Sequence, residues 1–260
     1  MISVVISLVF GAFDMQELSL PALDASEADS LLLCLPHVST PADNITLRGK
    51  EPMLELPIIH AGAYFRYAFD LYQLDRNHFK ERIKSNLEAL RKEMELIGDQ
   101  GKVKASRRVE EIGEIEKAMD DGLEPDSVLK LFAFTQVEIK TLAAEYDPCG
   151  TYAYDLGAWC AAMGVRLAFY PGCSDELCQT LVLSSVNLLI EKVERLDSEH
   201  WNEILLSLPR DDKTRLPDII NTLEFLSALS YYPPVTGDAL AELFTKLELV
   251  YKVFGMEFVA

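Results

Sequence analysis

A chain of 260 residues, 49% hydrophobic and 25% charged, is long enough to bury a substantial core in one large domain or two smaller ones, which excludes a disordered polypeptide. Twenty-four Lys and Arg against 42 Asp and Glu leave a net charge of −18, which excludes general nucleic-acid binding because the phosphate backbone would repel such a body. Five cysteines spread from Cys34 to Cys178 lack the dense, even pattern of a small disulfide scaffold and point to a reducing cytoplasm.

The opening MISVVISLVFGAF matches the apolar core of a signal peptide, with Gly11 and Ala12 as small residues near a possible cut. The first positive side chain, however, is Arg48. The expectation is therefore a buried strand or short helix in a cytoplasmic protein, with export as the alternative. Asn44 in NIT is a glycosylation acceptor only if a eukaryote exports the chain. Residues 14–57 are Pro-punctuated and irregular, and MLELPII (53–59) is the one expected strand among them. No apolar run reaches membrane-spanning length without a charge. The best candidate, residues 152–170, carries Asp155 and Arg166.

From residue 58 on, apolar positions recur every three or four residues, the period of a helix. AYFRYAFDLY crowds Tyr64, Phe65, Tyr67, Phe69 and Tyr72 into a helix that buries aromatics. Asp75 and His78 read as a surface hydrogen bond rather than half of a metal pair. Ile83, Leu87, Leu90, Met94 and Ile97 then form a seam of coiled-coil type. GDQG (98–101) breaks it, and Ala105, Val109, Ile112, Ile115 and Met119 resume it up to Gly122. Two helices joined by a short turn predict an antiparallel hairpin over about 77–121.

Pro125 opens a helix with Val128, Leu131, Phe132, Thr135, Ile139 and Leu142 on one face, closed by DPCG at 147–150. The next helix has a large stripe (Tyr152, Leu156, Trp159, Cys160, Met163, Leu167, Tyr170) and a smooth one (Gly157, Ala161, Gly164, Ala168). Apolar all round, it is predicted to be the central helix, closely approached by another on its small face. A helix from Pro217 to the Pro233-Pro234 stop carries Ile219, Ile220, Leu223 and Leu226. The last, capped by Thr236 and stopped by Gly255, turns Leu240, Leu243, Phe244, Leu247, Val250, Tyr251 and Phe254 inward. The fold class is all-α: a multi-helix bundle in which 1–57 is an irregular segment packed on the bundle, 58–122 a long helical hairpin and 123–260 the bundle core.

YPGCSDELC (170–178) places two cysteines five positions apart. With Ser174 as N-cap and Asp175 and Glu176 in the first turn, Cys173 and Cys178 occupy the two positions that touch in a hydrophobic staple, and reduced thiols packing there is the expectation. A redox-labile pair is the alternative. Zinc would need two further ligands, and His37, His60, His78 and His200 show no paired spacing with these cysteines.

No phosphate-binding loop, dinucleotide fingerprint, nucleophile elbow or paired-histidine zinc motif occurs. Two acidic clusters remain, Glu110, Glu111 and Glu114, and Asp120, Asp121 and Glu124. DDGLE resembles, over five residues, the aspartate-rich motif of prenyl synthases. That resemblance implies magnesium held against a diphosphate, with DDK at 211–213 a poor second motif. With 42 acids in the chain, a solvated face is the plainer reading.

Charge is distributed least randomly of all. Arg76 to Arg108 holds ten Lys and Arg against five acids, and Val109 to Asp121 holds six acids against Lys117. The two blocks would neutralise each other across the hairpin, except that Lys102, Lys104, Arg107 and Arg108 crowd the turn as a contact tip. The expected function is that of a non-enzymatic helical adaptor binding an acidic protein partner through those four residues, without a cofactor. One alternative is a magnesium-dependent enzyme acting on a phosphorylated small molecule through Asp120, Asp121 and Glu124; the other is an exported binding protein.

Overall fold

A computed structural model of the chain describes residues 36–38, 55–99, 106–146, 150–173, 176–193, 221, 225, 228, 229, 235–254 and 256–258. Within them the protein is an all-α bundle. Its elements are the short strand β1 (Pro36–Val38), helices α1 (Glu55–Asp75), α2 (Lys80–Asp99), α3 (Ser106–Asp120), α4 (Pro125–Tyr146), α5 (Gly150–Phe169), α6 (Glu176–Val193) and α7 (Gly237–Val253), and strand β2 (Met256–Phe258). The apolar stretch at residues 1–13, Asn44 and Cys34 lie outside the described residues, as does most of the helix expected after Pro217.

The strand expected over MLELPII is overturned, because from Glu55 on these residues form the start of α1. Pro57 stands third in that helix. Within the first turn a missing N–H removes no intrahelical bond, so the ring is tolerated there. The strand that does form is Pro36–Val38, paired antiparallel with Met256–Phe258 in the register Pro36 to Phe258, His37 to Glu257 and Val38 to Met256.

The centre of the molecule is the crossing of α1 and α5. Every residue of α5 from Ala153 to Phe169 is buried. A Cβ on Gly157 would overlap the carbonyl oxygen of Ile59, and one on Gly62 would overlap that of Tyr154. Only glycine fits at either position, and the two helices meet backbone to backbone. Ile59 faces Gly157, Gly62 faces Tyr154 and Ala158, and Asp70 reaches Arg166, so the helices run parallel.

The other helices close around this pair. Phe132 of α4 is a hub for the α1 aromatics, with ring centroids 5.7 Å from Phe65, 5.6 Å from Phe69 and 5.5 Å from Tyr72. The α2 seam is fully buried at Ile83, Leu87, Leu90 and Met94, so α2 lies along α1 rather than projecting from the bundle. α3 adds Ile112 and Ile115 and is closed by Gly122, whose φ of 68° favours a residue without a Cβ. α6 is tied to α5 by the Trp159 indole, which donates to the Leu189 carbonyl at 2.9 Å. The Tyr251 hydroxyl of α7 donates to the Cys160 carbonyl. Thr236 is the N-cap residue of α7 as expected, but its side chain makes no capping hydrogen bond.

Candidate functional site

The hairpin places the sequence-predicted residues unevenly. Its body is antiparallel and stitched by ion pairs. Asp120 takes Lys80 at 2.8 Å and Lys84 at 2.7 Å, and Glu116 takes Arg91 at 2.9 Å, which Glu88 also holds at 2.6 Å. These lysines hold the Asp120 carboxyl below its usual range, and Asp120 in turn raises Lys84. Lys102 and Lys104 fall outside the described residues. Arg107 and Arg108 sit in the first turn of α3, and only their backbone is described.

For the acidic alternative, Asp121 and Glu124 are exposed in the α3–α4 turn, as are Glu110 and Glu114 on α3. An ion at DDGLE would have to displace two ammonium groups from Asp120. Among the described residues no three His, Cys, Asp or Glu side chains are placed to hold a metal. The Asp75–His78 contact is made by the His78 backbone N–H, at 3.0 Å, with Asn77 N–H at 2.9 Å on the same oxygen. Asp75 therefore caps the α1–α2 turn, and the His78 ring stacks edge-on against Phe79. An open depression of about 460 Å³ beside that turn is lined by Tyr72, Arg76, Pro125 and Leu129, with Asp75 already engaged in it.

Below the glycine contact the α1–α5 crossing turns ionic. Asp70 is 1% exposed and lies between two buried guanidinium groups, Arg66 at 2.8 Å and Arg166 at 2.9 Å. Arg166 also donates to the Ser185 hydroxyl at 2.7 Å and the Ala162 carbonyl at 2.8 Å. Burial pulls the Arg166 pKa down, Asp70 pulls it back up, and Arg66 opposes with like charge. Arg66 lies 5.5 Å from the Phe69 ring centre, and its Nε and Nη1 have no hydrogen-bond partner among the described residues. Two cations thus share one carboxylate away from water, an arrangement that holds only while all three are present.

Two more pairs tie α1 and α5 to their neighbours. Lys140 of α4 grips both oxygens of Asp155, at 2.7 and 3.0 Å; burial raises the Asp155 carboxyl and Lys140 lowers it. The His60 ring, fully buried, donates from Nε2 to the Phe254 carbonyl at 2.7 Å and turns Nδ1 to Glu93 at 3.5 Å. Tyr64 is pushed up to about 12 by burial and by Glu93.

The sequence reading missed all of this except the presence of Asp155 and Arg166 in an otherwise apolar helix. The signal was there: Arg66 and Asp70 stand one turn apart inside an aromatic run, where a charge has no solvent to face.

The cysteines correct the staple expectation. Cys173 and Cys178 do meet, with Cα atoms 5.5 Å apart, but as a disulfide rather than packing as thiols. Ser174, the expected cap, lies outside the described residues. Cys160 is a free, fully buried thiol whose pKa burial pushes up, as suits an inert core residue.

No protein family, curated protein or solved structure matches the chain.

Proposed function

We propose that the protein is a non-enzymatic helical adaptor whose α2–α3 element carries a basic tip for an acidic protein partner. The observation that supports this is where the counter-charge sits. Asp120 and Glu116, in the half of α3 far from the tip, are engaged by Lys80, Lys84 and Arg91. Residues 99–108 meanwhile hold Lys102, Lys104, Arg107 and Arg108 against Asp99 alone. On a body of −18, a local excess of cations speeds encounter with an acidic surface and orients it. No described helix is long and apolar enough to cross a membrane. The proposed compartment is the cytoplasm.

The test compares the native chain with the fourfold variant Lys102→Glu, Lys104→Glu, Arg107→Glu and Arg108→Glu. Partner association should weaken mainly through a slower on-rate, and raised salt should do the same to the native chain. Association that withstands both treatments, or a variant that unfolds, removes the basis for the reading.

A second reading, an exported binding protein, is favoured by the Cys173–Cys178 disulfide, because such bonds persist in oxidising compartments. A mature N-terminus near Phe13 in protein from its native source would establish export; an intact Met1 would count against it.

A further inference from the structure

Cys173 is 8% exposed, at the end of the turn that follows α5, whereas Cys178 is half-buried in the first turn of α6. Beside Cys178 lie Leu177 and Leu181, 69% and 45% exposed, the most exposed large apolar pair on any one described helix. Leu181 follows Cys178 by three residues and Leu177 precedes it, so the half-buried Cys178 sits at the edge of a small apolar patch. Glu176 is exposed on the same turn, on a chain of −18. The bond closes a loop with a sequence separation of only five, and α6 is held to α5 without it through Trp159 to Leu189 and Arg166 to Ser185.

From this geometry we infer that Cys173–Cys178 is a reversible thiol–disulfide exchange site, attacked at Cys178, whose reaction partner is a protein dithiol with an apolar rim. A thiolate of the partner attacks Cys178 Sγ. The Cys173–Cys178 bond breaks, a mixed disulfide forms, and Cys173 leaves as a thiolate that takes a proton from water. The partner's second thiolate then attacks its own sulfur in the mixed disulfide and releases Cys178. Two electrons pass to this chain, and the partner ends as a disulfide. The direction reverses when the partner arrives oxidised.

The surroundings select that partner. Glutathione is anionic, and its thiolate more so, which opposes approach to Glu176 and the acidic body. Leu177 and Leu181 offer a protein dithiol apolar area that a small thiol cannot use. The inference stands apart from the adaptor reading, because the hairpin tip takes no part in it.

The test follows reduction of the Cys173–Cys178 peptide in the intact protein by alkylation and mass spectrometry, with dithiothreitol, glutathione and thioredoxin as reductants. Thioredoxin is expected to outpace glutathione, per thiol, by about tenfold or more. The double variant Leu177→Ser and Leu181→Ser should slow thioredoxin alone and leave dithiothreitol unchanged, since both residues are exposed. Helical circular dichroism should persist on reduction. Any of three results overturns the inference: both cysteines alkylate as free thiols in protein kept under air, the double variant reacts with thioredoxin at the native rate, or reduction melts the helices.

Discussion

The α2–α3 hairpin and the α1–α5 crossing are both helix pairs, yet they are held by opposite means. The hairpin meets through side chains. Its apolar seam faces in, and its charges face water in pairs that solvent can replace. The crossing meets through backbone at Gly62 and Gly157, and its charges face inward where nothing can replace them. Charge on the hairpin is available for recognition, while charge at the crossing fixes which helix faces which.

The sharpest way to break that contrast is alkali. Burial raises Tyr64 to about 12 and holds Tyr67, Tyr154 and Tyr251 further above their usual value, and all four lie on α1, α5 or α7. An unfolded chain releases these protons near pH 10. Above that pH the native state therefore binds more protons than the unfolded state, and stability falls as pH rises. Tyrosinate absorbance from these residues should appear together with loss of helical circular dichroism. Titration of all ten tyrosines near pH 10 with the helices intact would contradict the buried assignment.

Next in size is Asp70→Ala, which strands two buried guanidinium groups and should cost about 3–5 kcal/mol in urea unfolding. A cost near zero would mean that the cluster is hydrated. Gly157→Leu should cost about 1–3 kcal/mol or more, because the crossing has no room for added volume. In the hairpin seam, Leu87→Met keeps its volume and should cost about 1.5 kcal/mol or less. The smallest effect belongs to Asp120→Asn, which breaks exposed pairs only. Its melting temperature should match the native protein's, and a clear drop would show that the hairpin depends on its ion pairs.

The hairpin and the crossing also differed in how plainly the sequence announced them. A seam of Ile83, Leu87, Leu90, Met94 and Ile97 is a local pattern, and each of these residues is buried as expected. The smooth face of α5 was readable from Gly157 and Ala161, but its partner was not, because Gly62 lies 95 positions earlier and a lone glycine among alanines and aromatics carries no period. Arg66 and Asp70 stand within an aromatic run whose pattern specifies packing and gives no sign of an ion pair. MLELPII starts a helix from Glu55 on, because Pro57 falls in a first turn, where a proline ring is tolerated. The spacing of Cys173 and Cys178 predicts that they touch, as they do, but spacing fixes proximity and not oxidation state.

The small ribbon has a consequence for synthesis. Pro36–Val38 finds its only strand partner among the described residues at Met256–Phe258, 218 positions later from Val38 to Met256. At ribosomal rates of roughly 5–20 residues per second, the early strand waits on the order of 10–40 s for that partner. Each helical hairpin, by contrast, can close within moments of emerging. The ribbon is thus a late closure of the fold, completed only once Met256–Phe258 has been made.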